Sequence, residues 1–316
     1  MLKRTITGIL ILMIFIPLIL IEDLFPLFQT GMILLAGLST LELIKMYEKE
    51  KKFSLPIKIV IMLCAMLMYL ASLVEWQPQS IPSQTLQLFN IRLKVLPVSI
   101  IILLVLFSCT VFVQSFDGAD VGKALLIVLY SGVGFSSITI LKYLGNRYIV
   151  YLFLVTVLTD VFAYITGMLF GKHKMAPKIS PKKTWEGAIG GTIVASIFGC
   201  VFALFYGDLF GSFFGNQETL LDGIINVDKL SQAGQISILV VLTVLTSIIS
   251  QIGDLVASRL KRTYEIKDFG NCFPGHGGVL DRLDSALFAS MFILAVFTFL
   301  NYLLPITTNG NLGMII

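Results

Sequence analysis

Nine apolar runs punctuate the chain, at residues 5–21, 24–44, 56–74, 95–113, 121–142, 148–170, 188–206, 235–255 and 286–304. Each approaches the roughly 20 residues a helix needs to cross a hydrocarbon core. The pattern predicts an all-α integral membrane protein, a polytopic bundle of about nine transmembrane helices. Two runs are impure. The sixth carries Asp160 and Thr166-Gly167, and the eighth carries Thr243, Thr246, Ser247, Ser250, Gln251 and Asp254. Polar side chains within a span face a bundle interior or a wet cavity. Residues 75–94 and 207–233 read as polar loops, broken by Pro78, Pro82, Gly211, Gly215 and Gly223.

Composition agrees with the runs. The 316 residues are 56% hydrophobic and 13% charged, about half the charged share of a soluble domain. Lys3 and Arg4 ahead of the first run imitate a signal peptide. No small-residue cleavage site follows, and Glu22-Asp23 comes at once, so the run reads as an uncleaved first span. The four cysteines, Cys64, Cys109, Cys200 and Cys272, show no paired spacing, and no disulfide framework or zinc site is expected.

The charges set an orientation. With the N-terminus in the cytoplasm, eighteen of the 23 Lys and Arg residues fall in cytoplasmic segments. The other five, Arg92, Lys94, Lys142, Arg147 and Lys229, fall outside. That is the positive-inside asymmetry. It makes residues 172–187 and 256–284 cytoplasmic loops, and the expected location is the cell (plasma) membrane, as a multi-pass protein. A division into 1–114 and 115–316 separates generic spans from the part that carries the polar loops.

Those two loops hold the chemistry. The first contains Lys172, Lys174, Lys178, Lys182 and Lys183, with Trp185 beside them. Taken alone it is a cationic anchor with an interfacial aromatic residue. Ser180-Pro181 and Thr184 add hydroxyls and a rigid turn suited to phosphate oxygens, and Glu186 opens the next helix. Gly187 and Gly191 form a GxxxG pair, which points to helix packing. In the second loop, Asp254 and Ser258 share a helix face, as do Ser258 and Arg262. Arg259, Lys261 and Arg262 crowd that helix end, where cations also complement the dipole.

Further along come Lys267-Asp268, Gly270 and Pro274-Gly275-His276-Gly277-Gly278, a turn that lets backbone approach a ligand. Asp281 and Asp284 fall three apart around Arg282, which also suits an ordinary acidic helix start. Asp254 and Asp281 lie on helices joined by a short loop, so they can meet at one membrane level. Carboxylates among cations that bind phosphate repel it unless a divalent ion lies between, by about 4 kcal/mol at contact near a protein surface. Oxygen-only ligands point to Mg2+. His276 lacks a second His or Cys at ligand spacing and reads as a phosphate donor or loop organiser.

The run Ser258-x-Leu260-Lys261-Arg262-x4-Lys267-Asp268-x-Gly270-x2-Phe273-Pro274-x-His276-Gly277-Gly278-Val279-x-Asp281-Arg282-Leu283-Asp284 resembles the signature of the phosphatidate cytidylyltransferase (CDP-diacylglycerol synthase) family. Ser180-Pro181-Lys182-Lys183-Thr184-Trp185-Glu186-Gly187 and Asp160-x2-Ala163-Tyr164-x2-Gly167 are similar to it as well. The resemblance covers residues 155–300 and makes 115–316 the catalytic region. It implies a helical membrane bundle, commonly dimeric, that joins CTP to phosphatidate with Mg2+, releasing pyrophosphate. It also implies that Asp254 and Asp281 ligate the metal, and that Ser258, Lys261, Arg262, Lys267 and Arg282 handle phosphates. No nucleic-acid partner is expected. A CTP-dependent polyprenol or phytol kinase is the alternative. An anion transporter is disfavoured, because the charges cluster at one surface.

Overall fold

The computed structural model describes residues 13–76, 94–208, 219–272 and 277–305. Eight helices are long and apolar enough to cross a bilayer among the described residues. The expected run 5–21 falls largely outside them, although residues 13–20 are helical. The chain divides into two compact units, one of residues 1–143 with 260–283, the other of 144–259 with 284–316. Residues 260–283 belong to the unit of the first helices.

The first unit holds α1 (Phe25–Tyr47), α2 (Leu55–Trp76), α3 (Val95–Phe112), α4 (Gly118–Ile127) and α5 (Gly134–Leu144), which extends one residue into the second. Between α4 and α5 the helix widens into a π-helical stretch, Val128–Val133. Gly132 lies within it. A Cβ there would sit 2.9 Å from the carbonyl oxygen of Ala65 on α2. That approach needs a glycine, and a π-bulge shifts the register of the flanking faces. Hydroxyl pairs cross the same packing: Ser39 to Ser131 at 2.8 Å and Tyr69 to Thr139 at 2.9 Å, all buried. In hydrocarbon each such polar group needs a protein partner.

At the polar end of this unit, Asp117 caps α4 by accepting from the amides of Ala119 and Asp120. Lys51 donates to both Asp117 (2.7 Å) and Asp120 (2.5 Å). The Asp117 hydrogen bond raises the Lys51 ammonium above its usual range, and the same contact lowers the Asp117 carboxyl.

The second unit holds α6 (Asn146–Phe170), β1 (Lys174–Ala176), β2 (Ser180–Thr184) and α7 (Trp185–Leu204), with most of α8 (Gln232–Thr263) and α9 (Leu280–Leu303). Helices α6 and α7 pack closely because glycines line their crossing. A Cβ at Gly187 would lie 2.6 Å from the Ala163 carbonyl oxygen, and one at Gly191 would lie 2.6 Å from that of Thr159. Thr243, Thr246, Ser247, Ser250 and Gln251 of the eighth run turn inward. Thr159 meets Ser247 at 2.7 Å, Tyr151 meets Thr243 at 2.9 Å, and Gln251 donates to Thr192 at 2.9 Å.

Two boundaries differ most from the apolar runs. Helix α8 continues eight residues past 255 and α9 begins six residues before 286. Hydropathy marks the oily slab, whereas polar residues such as Ser258, Arg259 and Lys261 extend a helix into the interface. The segment expected as a plain loop contains an antiparallel hairpin pairing Lys174 with Thr184 and Ala176 with Ser180. Its turn falls at Pro177–Ile179, so Ser180-Pro181 starts a strand instead of making the bend.

Thr184 ends the hairpin and caps α7, its hydroxyl accepting from the Gly187 amide at 3.2 Å. Thr184→Ala removes the cap of a helix that holds a hairpin against its own start. The expected loss is about 1 kcal/mol, read as a lower melting temperature in detergent, with Thr184→Ser restoring most of it.

Candidate active site

A cavity of about 330 Å3 opens in the second unit. Its polar wall is Asp160 from α6, Lys182 and Lys183 from β2, and Gln251 and Asp254 from α8; Thr184, Tyr164, Met168 and Met175 complete it. The hairpin matters because strand alternation and its short turn deliver two adjacent lysines to the ends of two helices. Lys183 forms an ion pair with Asp254. One turn on, the Ser258 hydroxyl reaches Asp254 at 3.5 Å. The Asp254–Ser258 face expected from spacing is therefore present. Asp160 feels both the Asp254 charge and the Lys183 charge. Two aspartates and two lysines thus share one pocket.

The hairpin is held from below by Glu186. Its carboxylate accepts from the amides of Lys172 (3.1 Å) and His173 (3.2 Å) and pairs with His173 Nδ1 at 2.6 Å. Glu186 thus organises the lysine loop through backbone contacts. Ser180 is half-buried and Lys182 is exposed.

The remaining site residues belong to the first unit, except Arg259, which is exposed at the last position of the second. Lys261 donates to Asp281 Oδ1 at 2.7 Å, with side-chain exposures of 13% and 4%. Asp281 Oδ2 accepts from the amides of Phe269 (2.8 Å) and Gly278 (2.9 Å). Arg262 Nη1 donates to the Ile266 carbonyl at 3.4 Å. Lys267 and Arg282 are exposed, and His276 lies outside the described residues. Asp281 therefore ties Phe269 and Gly278 to the start of α9, and Lys261 pairs with it. A metal at Asp281 would have to displace Lys261 or share an oxygen already used.

One residue that the sequence reading passed over is Glu42 on α1. It is 6% exposed and accepts from the amides of Val279 at 2.9 Å and Leu280 at 3.1 Å. The signal existed, since an ionisable side chain in an apolar span marks a functional site by default. Its partners lie more than 230 positions away in the chain, which no local spacing displays.

The helices define a polytopic membrane protein, with eight candidate spans among the described residues. A family model described as the cytidylyltransferase family matches residues 2–300. The chain is 36% identical over 290 residues to a phosphatidate cytidylyltransferase of Staphylococcus haemolyticus, covering 90% of this chain and 94% of the relative. It is 32% identical over 307 residues to the phosphatidate cytidylyltransferase of Bacillus subtilis, covering 94% and 98%. The Staphylococcus aureus enzyme of that name is 33% identical over 289 residues, covering 90% and 94%. The chain belongs to the cytidylyltransferase family.

Proposed function

We propose that this chain transfers the cytidylyl group of CTP to phosphatidate, giving CDP-diacylglycerol and pyrophosphate. The observation that carries this reading is similarity along nearly the whole chain to relatives named for that reaction. The second unit supplies a cavity with two lysines and two aspartates to serve it. In the reaction, a phosphatidate phosphate oxygen bonds to the α-phosphorus of CTP as the bridging bond to the β-phosphate breaks. The attacking group is already anionic near neutral pH, because a phosphomonoester loses its second proton near pH 6. A general base is not required. The task is to hold two polyanions together, and cations perform it by positioning and charge stabilisation.

Lys182 and Lys183, with Ser180 and Thr184 beside them, form one cationic set. Ser258, Arg259, Lys261, Arg262, Lys267, His276 and Arg282 form the other. Glu186 serves by fixing the first. The donor chemistry of the cavity fits Mg2+: Asp160 and Asp254 bring hard oxygen donors to its lining, and magnesium typically takes one or two carboxylates plus substrate phosphates. Among the described residues no group of three His, Cys, Asp or Glu side chains could hold a metal alone, so substrate oxygens would complete the shell. Asp254 is the first candidate to hold the ion. Asp281 joins it only if Lys261 moves to a phosphate. When bound, the metal neutralises phosphate charge and polarises the phosphorus under attack.

The N-terminus and both polar loops are assigned to the cytoplasm on the lysine and arginine asymmetry. The protein is assigned to work as a homodimer in the cell membrane, as the family resemblance implies. Purified protein given CTP labelled at the α-phosphate, phosphatidate and Mg2+ is expected to move label into the lipid. Label entering lipid only from the γ-phosphate would instead identify a CTP-dependent lipid kinase. Chelation of divalent ions should stop the transfer, and magnesium should restore it.

A further inference from the structure

We infer that Glu42, a residue of the N-terminal helices, is a positioning residue for cytidylyl transfer: it seats the start of α9 and so holds Asp281 and Lys261 in place. The inference rests on the function proposed above. Three independent features converge on this one carboxylate. First, α9 starts at Leu280 with Val279 in the capping position, and valine has no side-chain acceptor. A helix start leaves up to four amides without partners, and local Ser, Thr, Asp or Asn normally serves them. Here Glu42 Oε1 takes the Val279 amide and Oε2 takes the Leu280 amide. The cap is supplied by another helix.

Second, two glycines of the signature loop make room for it. A Cβ at Gly270 or at Gly278 would lie 2.4 Å from Glu42 Oε1. No side chain fits at either position while the carboxylate keeps its place. Third, the same short loop is tied from its other side by Asp281, through the Phe269 and Gly278 amides and Lys261. Gly278 stands between the two carboxylates: its amide serves Asp281 while its Cα faces Glu42. Movement of Glu42 therefore propagates directly to the residue that holds Lys261.

The site calls for a group with two acceptor oxygens. A buried carboxylate is costly unless hydrogen-bonded, and this one meets two amides and the positive end of a 24-residue helix. An amide cannot replace it, because glutamine would turn an NH2 group toward one of the two N–H donors.

Glu42→Gln is the test, in the full-length protein in detergent. Hydrogen–deuterium exchange of the peptide covering 277–284 should quicken by about tenfold or more, as expected when a local tie is lost. Unchanged exchange overturns the cap. Turnover, corrected for folded fraction, should fall about 10- to 100-fold, the range for groups that orient a site from behind. In a Lys261→Ala background the same change should cost at most about threefold, because coupled residues do not multiply. Equal losses in both backgrounds would mean a merely structural role and overturn the positioning claim. If Glu42→Gln fails to fold, Gly278→Ala pushes the carboxylate from the opposite side and should give the same exchange and turnover changes; wild-type values would overturn the inference. Failure of wild-type protein to transfer label from CTP would sink the proposed function and with it the catalytic half of this inference, while the exchange result still decides the cap.

Discussion

Asp254→Asn is expected to lower turnover with CTP and phosphatidate by at least about 100-fold, the size of effect seen when one preorganised charge-stabilising group is removed. The substitution keeps shape and removes charge. Asp254 lies on α8 one turn before Ser258, faces Lys183 across an ion pair, and shares the cavity with Asp160. Both partners of that ion pair keep more than a quarter of their side-chain surface exposed, so losing it costs little stability in solvent-screened surroundings. A folded but inactive variant is the specific result expected. Raising magnesium should recover part of the activity if the carboxylate holds the metal. A folded variant within about threefold of wild type would take Asp254 out of the chemistry, whatever its place in the cavity.

How much of this was readable from the chain depends on the range of the interaction. Apolar runs located the spans because a bilayer imposes one length on every crossing helix. The inward turn of Thr243, Ser247 and Gln251 followed from the same solvent rule, and the structure pairs each with a hydroxyl on a neighbouring helix. The GxxxG pair in α7 was legible as packing, since the glycines are contiguous on one face. Helix ends were less legible, because hydropathy reports where lipid stops and not where hydrogen bonding stops. In the π-helical stretch at 128–133, Ala65 and Met68 approach Gly132 closely, and no pattern within that stretch encodes them. Strand pairing at 174–184 involves too few residues for alternation to register. Glu42 and Asp281 show the limit most clearly. Both are acidic residues whose partners are mostly backbone amides, and amides are invisible in a sequence because every residue but proline has one.

Lys261→Ala is expected to cost both activity and stability, and the two can be separated. Its ammonium is the charged partner of an Asp281 carboxylate that is only 4% exposed, and it also sits 5.2 Å from the Phe269 ring centroid. Removing one member of a buried pair leaves the other charged and poorly solvated, a loss of about 3–5 kcal/mol; the two amides on Oδ2 should hold it toward the lower end. Thermal unfolding in detergent should show this as a clear drop in melting temperature. Adding Asp281→Asn to Lys261→Ala removes the stranded charge, so the double variant should regain much of the lost stability. It should regain no activity, because both charges assigned to phosphate and metal would then be gone. A double variant that melts no higher than Lys261→Ala would show that the ion pair is not what holds the loop. A double variant that turns over like wild type would show that neither residue serves the reaction. Stability returning without function is the outcome that ties this pair to catalysis, because a pair that existed only to hold the loop would bring both back together.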